Sequence, residues 1–208
     1  MTVHLVAIVG GSGSGKTWLA RRLKRRLGRH AGLVSLDDFY RDLSALPKRE
    51  RDRRNFDDPA AIEWGLFLET LARIKRGEPA AIPRYDFASH TRQRRARAWK
   101  PKPIVLLDGL WLLRETQARR LYSLSVYLDA PGETRLQWRI ARDRKERGRS
   151  RASVLRQFRE QVEPMHARFV APQARHADIV LDSPAGDKVL GRLAAMVTGL
   201  ATPPRMNR

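Results

Sequence analysis

Residues 3–17 read Val-His-Leu-Val-Ala-Ile-Val-Gly-Gly-Ser-Gly-Ser-Gly-Lys-Thr, an apolar run that closes in Gly-x-x-x-x-Gly-Lys-Thr, the pattern of a phosphate-binding P-loop. The run is dominated by aliphatic side chains, as a strand buried on both faces requires. After it, Leu19, Leu23 and Leu27 recur at i/i+4 spacing and predict an amphipathic helix. Between strand and helix, Gly10, Gly11, Gly13 and Gly15, with Ser12 and Ser14 among them, let backbone N–H groups wrap phosphate oxygens in conformations a Cβ forbids. The helix N-terminus adds partial positive charge, Lys16 is expected to reach the β- and γ-phosphates, and Thr17 to hold Mg²⁺. A glycine-rich turn alone signals only a turn. The complete motif between strand and helix predicts a nucleoside triphosphate site.

Outward from this stretch, apolar runs at 32–36, 104–108, 124–128 and 177–182 read as further buried parallel strands. Helical patterns separate most of them: Ile62, Leu66, Leu71 and Ile74 within 59–76, Val154, Leu155, Phe158 and Val162 within 151–163, and a last amphipathic segment at 186–200. The alternation predicts an α/β fold, a P-loop NTPase with a doubly wound parallel sheet of about five strands flanked by helices. Residues 78–103 break the rhythm with Pro79, Pro83, Pro101 and Pro103 and are expected to form an inserted β-hairpin. Residues 132–150 are dense in arginine and are expected to form a helical lid. One domain over 1–200 with a frayed tail at 201–208 is the expected organisation.

Two strand-end carboxylates bear on what happens to a bound triphosphate. Ligands of open α/β sheets sit outside the carboxyl ends of the strands, so Asp37, at the end of Ser35-Leu36-Asp37-Asp38, is expected near the γ-phosphate. An acid there can deprotonate an attacking hydroxyl or share in holding the metal; a helix cap or turn aspartate is the alternative, and Asp38 is the better candidate cap. Asp108, ending Leu106-Leu107-Asp108-Gly109, is expected to hold Mg²⁺ through water. In the basic stretch, Arg135, Arg139 and Arg142 would share one helix face. Guanidinium forks suit phosphoryl charge, although an ordinary solvated helix has the same composition.

Composition excludes several classes. The chain has 208 residues, enough for one well-filled domain, and no cysteine, hence neither a disulfide framework nor a thiolate metal site. The N-terminal apolar run is too short for a membrane span and leads into the glycine loop rather than a cleavage site, so a soluble cytoplasmic protein without membrane contact is expected. With 42 Lys and Arg against 22 Asp and Glu the net charge is +20. That excess attracts polyanions, but nucleic-acid contact is taken as incidental at most, since many of these charges fall on solvent faces such as Arg21, Arg22, Lys24, Arg25 and Arg26.

With these segments in place the chain resembles the uridine kinase (uridine–cytidine kinase) family from about residue 5 to 182. The ordered signatures are Gly10–Thr17, Ser35-x-Asp37-x-Phe39-Tyr40, Asn55-Phe56-Asp57-Asp58-Pro59 and Tyr85-Asp86-Phe87-x-x-His90-x-Arg92. They continue as Asp108-Gly109, Arg135-Leu136-x-x-Arg139-x-x-Arg142-Asp143-x-x-Glu146-Arg147-Gly148-Arg149-Ser150, Gln157, Pro164-Met165-His166 and Ala177-Asp178-Ile179. The resemblance implies ATP, or GTP in its place, as donor with Mg²⁺, uridine or cytidine as the small-molecule partner, and a homo-oligomer as one assembly to test. It implies Asp37 as the base for the nucleoside 5′-hydroxyl, Lys16, Arg139 and Arg142 in phosphoryl transfer, and Arg142 and Arg147 on the donor phosphates. Tyr40 would line the acceptor pocket, and Asp57, Arg139 and Gln157 would hold the ribose. Tyr85, His90 and Arg149 would read the pyrimidine edge, with Phe56 and Phe87 on its face. Departures stand at Trp18 (expected to pack locally), Arg84, Asp108 where glutamate is frequent, and Trp138 in place of one arginine of a usual pair.

Two rival readings follow from the same residues. One is a P-loop kinase of another small alcohol, phosphoribulose- or pantothenate-like, which would have no pyrimidine for the Tyr-Asp-Phe-x-x-His frame to read. The other is a P-loop ATPase stimulated by nucleic acid.

Overall fold

The computed structural model describes residues 2–201. The chain opens with β1 (His4–Gly10), the P-loop, α1 (Lys16–Leu27) and β2 (Ala31–Ser35). A short α2 (Lys48–Arg51) and α3 (Trp64–Lys75) follow. Four short strands, β3 (Ala80–Ile82), β4 (Tyr85–Asp86), β5 (Thr91–Arg92) and β6 (Arg97–Trp99), come next, and then β7 (Ile104–Gly109). The rest is α4 (Thr116–Arg119), β8 (Tyr122–Asp129), α5 (Gly132–Arg147), α6 (Arg151–Gln157), α7 (Glu163–Met165), β9 (Ile179–Asp182) and α8 (Asp187–Ala201).

Five strands make one sheet in the order β2-β7-β1-β8-β9, and every neighbouring pair is parallel. β1 is central, and its alternate side chains feed two cores, as the pleat dictates. Leu5, Ala7 and Val9 pack with Phe39, Phe67, Leu71 and Trp111 on one face. Val6 and Ile8 pack with Leu19, Leu23 and Leu27 of α1 and Leu190, Leu193 and Val197 of α8 on the other. The stripe that predicted α1 is therefore its buried seam. The register sets Asp108 opposite both Ile8 and Ser35, which brings the P-loop and the two strand-end carboxylate segments to one edge of the sheet.

Residues 78–103 form paired antiparallel ribbons, β3 with β6 and β4 with β5, and none joins the main sheet. α5 ends where Gly148 adopts the left-handed conformation, φ 60°. The helix expected over 151–163 is regular only to Gln157. Pro164 has no N–H to donate and crowds the carbonyl four residues back, and two π turns, Phe158–Val162 and His166–Val170, lie on either side of it. The strand expected from residue 177 begins at Ile179. Asp178 is occupied in fastening β9 to β8: its Oδ2 accepts from the Ser125 N–H and hydroxyl, each at 2.7 Å.

Of the tail expected at 201–208, Ala201 still belongs to α8 and the remainder lies outside the described residues. Among the described residues no helix is long and apolar enough to cross a membrane.

Candidate active site

The P-loop leaves the end of β1 and enters α1 through Gly15, φ 84°, with no side chain capping the helix, so the first N–H groups of α1 are free for an anion. Gly13 also has positive φ, 80°, and a Cβ there would collide with the Arg135 carbonyl oxygen. Lys16 Nζ is buried and donates to the Gly11 carbonyl at 3.3 Å. Thr17 Oγ1 donates to Asp108 Oδ2 at 2.6 Å, while Asp108 Oδ1 is buried with no partner. Ser12 Oγ accepts from Arg139 Nη1 at 2.6 Å, and the Ser14 carbonyl accepts from the Ser183 hydroxyl at 2.6 Å.

Asp37 lies in the 3₁₀ turn Leu36–Phe39 that follows β2, and Oδ1 of its carboxylate is buried without a hydrogen bond. Burial pushes its pKa up; Lys16 and Arg142 pull it back, and Asp108 adds to the rise. Burial likewise lowers Lys16, against the pull of Asp37 and Asp108. Lys16 thus feels the charge of both Asp37 and Asp108. Thr17, Asp108 and Asp37 offer only hard oxygen ligands, two of them carboxylate oxygens left unpaired, which fits Mg²⁺ completed by phosphate and water.

Asp38 is not the cap it was expected to be. The capping group is Ser35, whose hydroxyl accepts from the Asp37 N–H at 3.4 Å. Asp38 instead faces the Tyr85 backbone and Arg97, and partial burial raises its carboxyl to about 6. It sets the turn that carries Asp37 against the hairpin.

A cavity of about 1160 Å³ extends from Ser12, Lys16 and Asp37 to the hairpin. Tyr40, Phe56, Asp57, Tyr85, Phe87 and His90 line it on one side, and Arg139, Arg142, Arg147, Arg149 and Gln157 on the other. The aromatic wall is continuous: Tyr40 stands 5.2 Å from Tyr85, 5.7 Å from Phe56 and 6.0 Å from Phe87. The Tyr40 hydroxyl donates to the Phe56 carbonyl at 2.8 Å. His90, at the turn between β4 and β5, has φ 56° and stacks flat on Phe56 at 4.3 Å. Burial and the cations Lys48, Arg51 and Arg147 hold its imidazole below the ordinary 6.5, Asp52 opposing them, and its Nδ1 is buried with no partner. Arg147 rests over Phe87, 5.0 Å from the ring centre.

Behind these arginines sits a residue that the spacing arguments passed over. Asp143 is fully buried and lies 2.8 Å from Arg142, 3.6 Å from Arg139 and Arg149, and 3.7 Å from Arg147. With Glu146 it is one of two acids in the densest part of the basic run, and nothing in the spacing singled it out. Arg139 also reaches Asp57 at 3.9 Å, and the Gln157 amide oxygen accepts from both Arg139 and Arg149. Arg135 stands on the same buried face of α5 but does not line the cavity: its side chain pairs with Glu163 at 2.7 Å and lies over Phe158. It braces the root of the lid against the π-turn segment.

A second feature without a sequence-level forecast is a separate apolar cavity of about 400 Å³ beside Gly15, bounded by Trp18, Leu128, Trp138, Pro184 and Ala185. Trp18 was expected to pack locally; Arg22 covers one of its faces at 5.0 Å, but the indole is 46% exposed and borders this cavity.

The model of the phosphoribulokinase/uridine kinase family matches residues 5–189. A uridine kinase of Staphylococcus epidermidis is 35% identical over 89% of this chain and 90% of its own length. That of Deinococcus deserti is 36% identical over 95% of this chain and all of its own. The phosphoribulokinase of Rhodobacter spheroides superposes with a TM-score of 0.64 at 19% identity, covering 87% of this chain and 70% of that one, and shares the fold.

Proposed function

We propose that this chain, which belongs to the phosphoribulokinase/uridine kinase family of P-loop kinases, phosphorylates the 5′-hydroxyl of uridine or cytidine with ATP as donor. Phosphotransfer to a small alcohol follows from the family; the pyrimidine nucleoside is the reading the cavity supports best. The observation that carries it is one continuous space joining the Lys16 and Asp37 edge to an aromatic wall that ends in an imidazole with a free, buried ring nitrogen.

Each group has a task set by its chemistry. The free N–H groups of α1 and the P-loop, with Lys16, hold the β- and γ-phosphates. Thr17, Asp37 and Asp108 would hold Mg²⁺, which when bound neutralises charge on the transferring phosphoryl group. Asp37 takes the proton of the 5′-hydroxyl; burial has moved it toward the range in which a base is effective. Arg139 and Arg142, oriented by Asp143, offer guanidinium forks to the equatorial oxygens. Asp57 accepts from ribose hydroxyls. Neutral His90 can donate or accept according to tautomer, and so suits either the 4-oxo group of uracil or the 4-amino group of cytosine.

A panel of nucleosides, phosphoribulose-like sugars and pantothenate-like alcohols, incubated with ATP and Mg²⁺ and resolved by chromatography, tests the reading. UMP and CMP are the expected products. Phosphorylation of a non-nucleoside alcohol with none of uridine would overturn it.

A further inference from the structure

Pro164, Met165 and His166, set between the two π turns, line none of the acceptor cavity, yet the imidazole stands directly against the P-loop. Val154, Phe158, Val162, His166 and Val170 follow one another at intervals of four. In a regular helix of about 3.6 residues per turn such a series drifts by about 40° per step, or about 160° from Val154 to Val170, and would leave the buried face. Each π turn, closed by i→i+5 bonds, takes in an extra residue and works against that drift. The four apolar members are accordingly all buried, and His166 reaches the loop. A Cβ added to Gly11 would stand 2.8 Å from His166 Nδ1 and 2.9 Å from Arg135 Cδ. Gly11 is not among the glycines of positive φ, so space rather than backbone strain excludes a side chain there.

Arg135 is itself pinned: its Nε donates to the Ala130 carbonyl at 3.1 Å, its Nη2 pairs with Glu163 at 2.7 Å and its guanidinium lies over Phe158. His166 is uncharged at neutral pH. Burial, with Arg135 and Lys16 adding to it and Glu163 and Asp129 opposing, holds its pKa at about 4. It therefore meets the loop as a flat, neutral ring and not as a further cation for the phosphates. We propose that His166 is a positioning residue for the donor: its ring, aimed by the π turns and set beside Arg135, presses on Gly11 from outside the cavity and keeps the first bend of the P-loop in the curve that holds phosphate. The inference rests on the reading of Gly10–Thr17 as a triphosphate site, not on the identity of the acceptor. A reacting group misplaced by about 1 Å can lose about a hundredfold, and at metal sites the groups that only orient the ligands are worth about 10–100-fold.

Calorimetric titration with Mg²⁺–tripolyphosphate, which needs the loop but no acceptor, reads the test, with steady-state KM values beside it. His166→Ala should weaken tripolyphosphate by about tenfold or more and raise the KM for ATP in step, while uridine KM stays within about twofold. His166→Asn, which keeps an atom where Nδ1 stands, should lie closer to the unsubstituted protein than to His166→Ala. Gly11→Ala alone should weaken tripolyphosphate by about a hundredfold, and His166→Ala added to it, by making room for the methyl group, should restore part of that loss. Unaltered tripolyphosphate affinity in His166→Ala overturns the inference, as does a double variant no better than Gly11→Ala. So do a rise in uridine KM as large as that for ATP and a His166→Ala chain unfolded at the assay temperature, since the residue would then serve the fold as a whole. Failure of the unsubstituted protein to bind tripolyphosphate would overturn the triphosphate reading and the inference with it. Tripolyphosphate binding without phosphorylation of uridine would overturn the nucleoside reading alone, and the calorimetry would still decide the role of His166.

Discussion

Replacing Asp143 by asparagine should cost the fold several kcal/mol, and the lid geometry says how the loss divides. The carboxylate is fully buried among four arginines. Arg142, Arg147 and Arg149 are each about a third exposed, so water screens them and each pairing is worth roughly 0.5 kcal/mol, as for surface ion pairs. Arg139 is almost wholly buried at 3.6 Å, and stranding such a charge costs about 3–5 kcal/mol. It keeps Asp57, Ser12 and Gln157, which argues for the lower end, about 2.5–3 kcal/mol. The sum is about 4 kcal/mol. For a chain of this size that lowers Tm by about 8–16 °C. The asparagine amide would also turn N–H donors toward guanidiniums that have no acceptor capacity. Thermal unfolding followed by circular dichroism checks this. A fall under about 3 °C would refute the view that the buried carboxylate organises the lid.

Three further outcomes follow from the site. Gly13→Ala places a Cβ at φ 80° against the Arg135 carbonyl, so donor KM should rise at least about tenfold with uridine KM little changed; unaltered donor KM would contradict it. Asp57→Ala should raise uridine KM by about ten- to hundredfold, a charged hydrogen bond's worth, and narrow the discrimination against 2′-deoxyuridine; retained discrimination would remove Asp57 from the ribose. Because burial and neighbouring cations hold His90 below 6.5, it is neutral at pH 7 and gains its proton only on acidification. Uridine KM should therefore be flat from pH 8.5 to 6.5 and rise below, where the imidazolium loses its acceptor nitrogen; a transition centred above 6.5 would contradict the environment described.

The core strands and the P-loop were legible because their signals are local. A strand buried on both faces must be continuously apolar, and a helix seated on it must repeat every three or four residues, as residues 3–27 do. Boundaries failed where a side chain had a tertiary engagement, as at Asp178, or where proline forced the π turns around residue 164. The cap at Asp38 was misjudged for the same reason. Ser35 and Asp38 are both competent caps in isolation, and only the folded chain sets Asp38 beside Tyr85 of the hairpin. Spacing put Arg135, Arg139 and Arg142 on one face, but it could not show that Glu163, 28 residues later, takes Arg135. The Trp18 and Trp138 cavity was invisible for a similar reason: its walls come from four separated segments, none with a pattern of its own.

The central claim is that Asp37 draws the proton from a nucleoside hydroxyl while the P-loop holds the donor. Turnover of Asp37→Asn at saturating uridine, ATP and Mg²⁺, scored as UMP formed, tests it most directly. Loss of a general base predicts a fall in kcat of about 10²–10⁴ with triphosphate affinity largely kept. UMP formation near the unsubstituted rate would contradict the account.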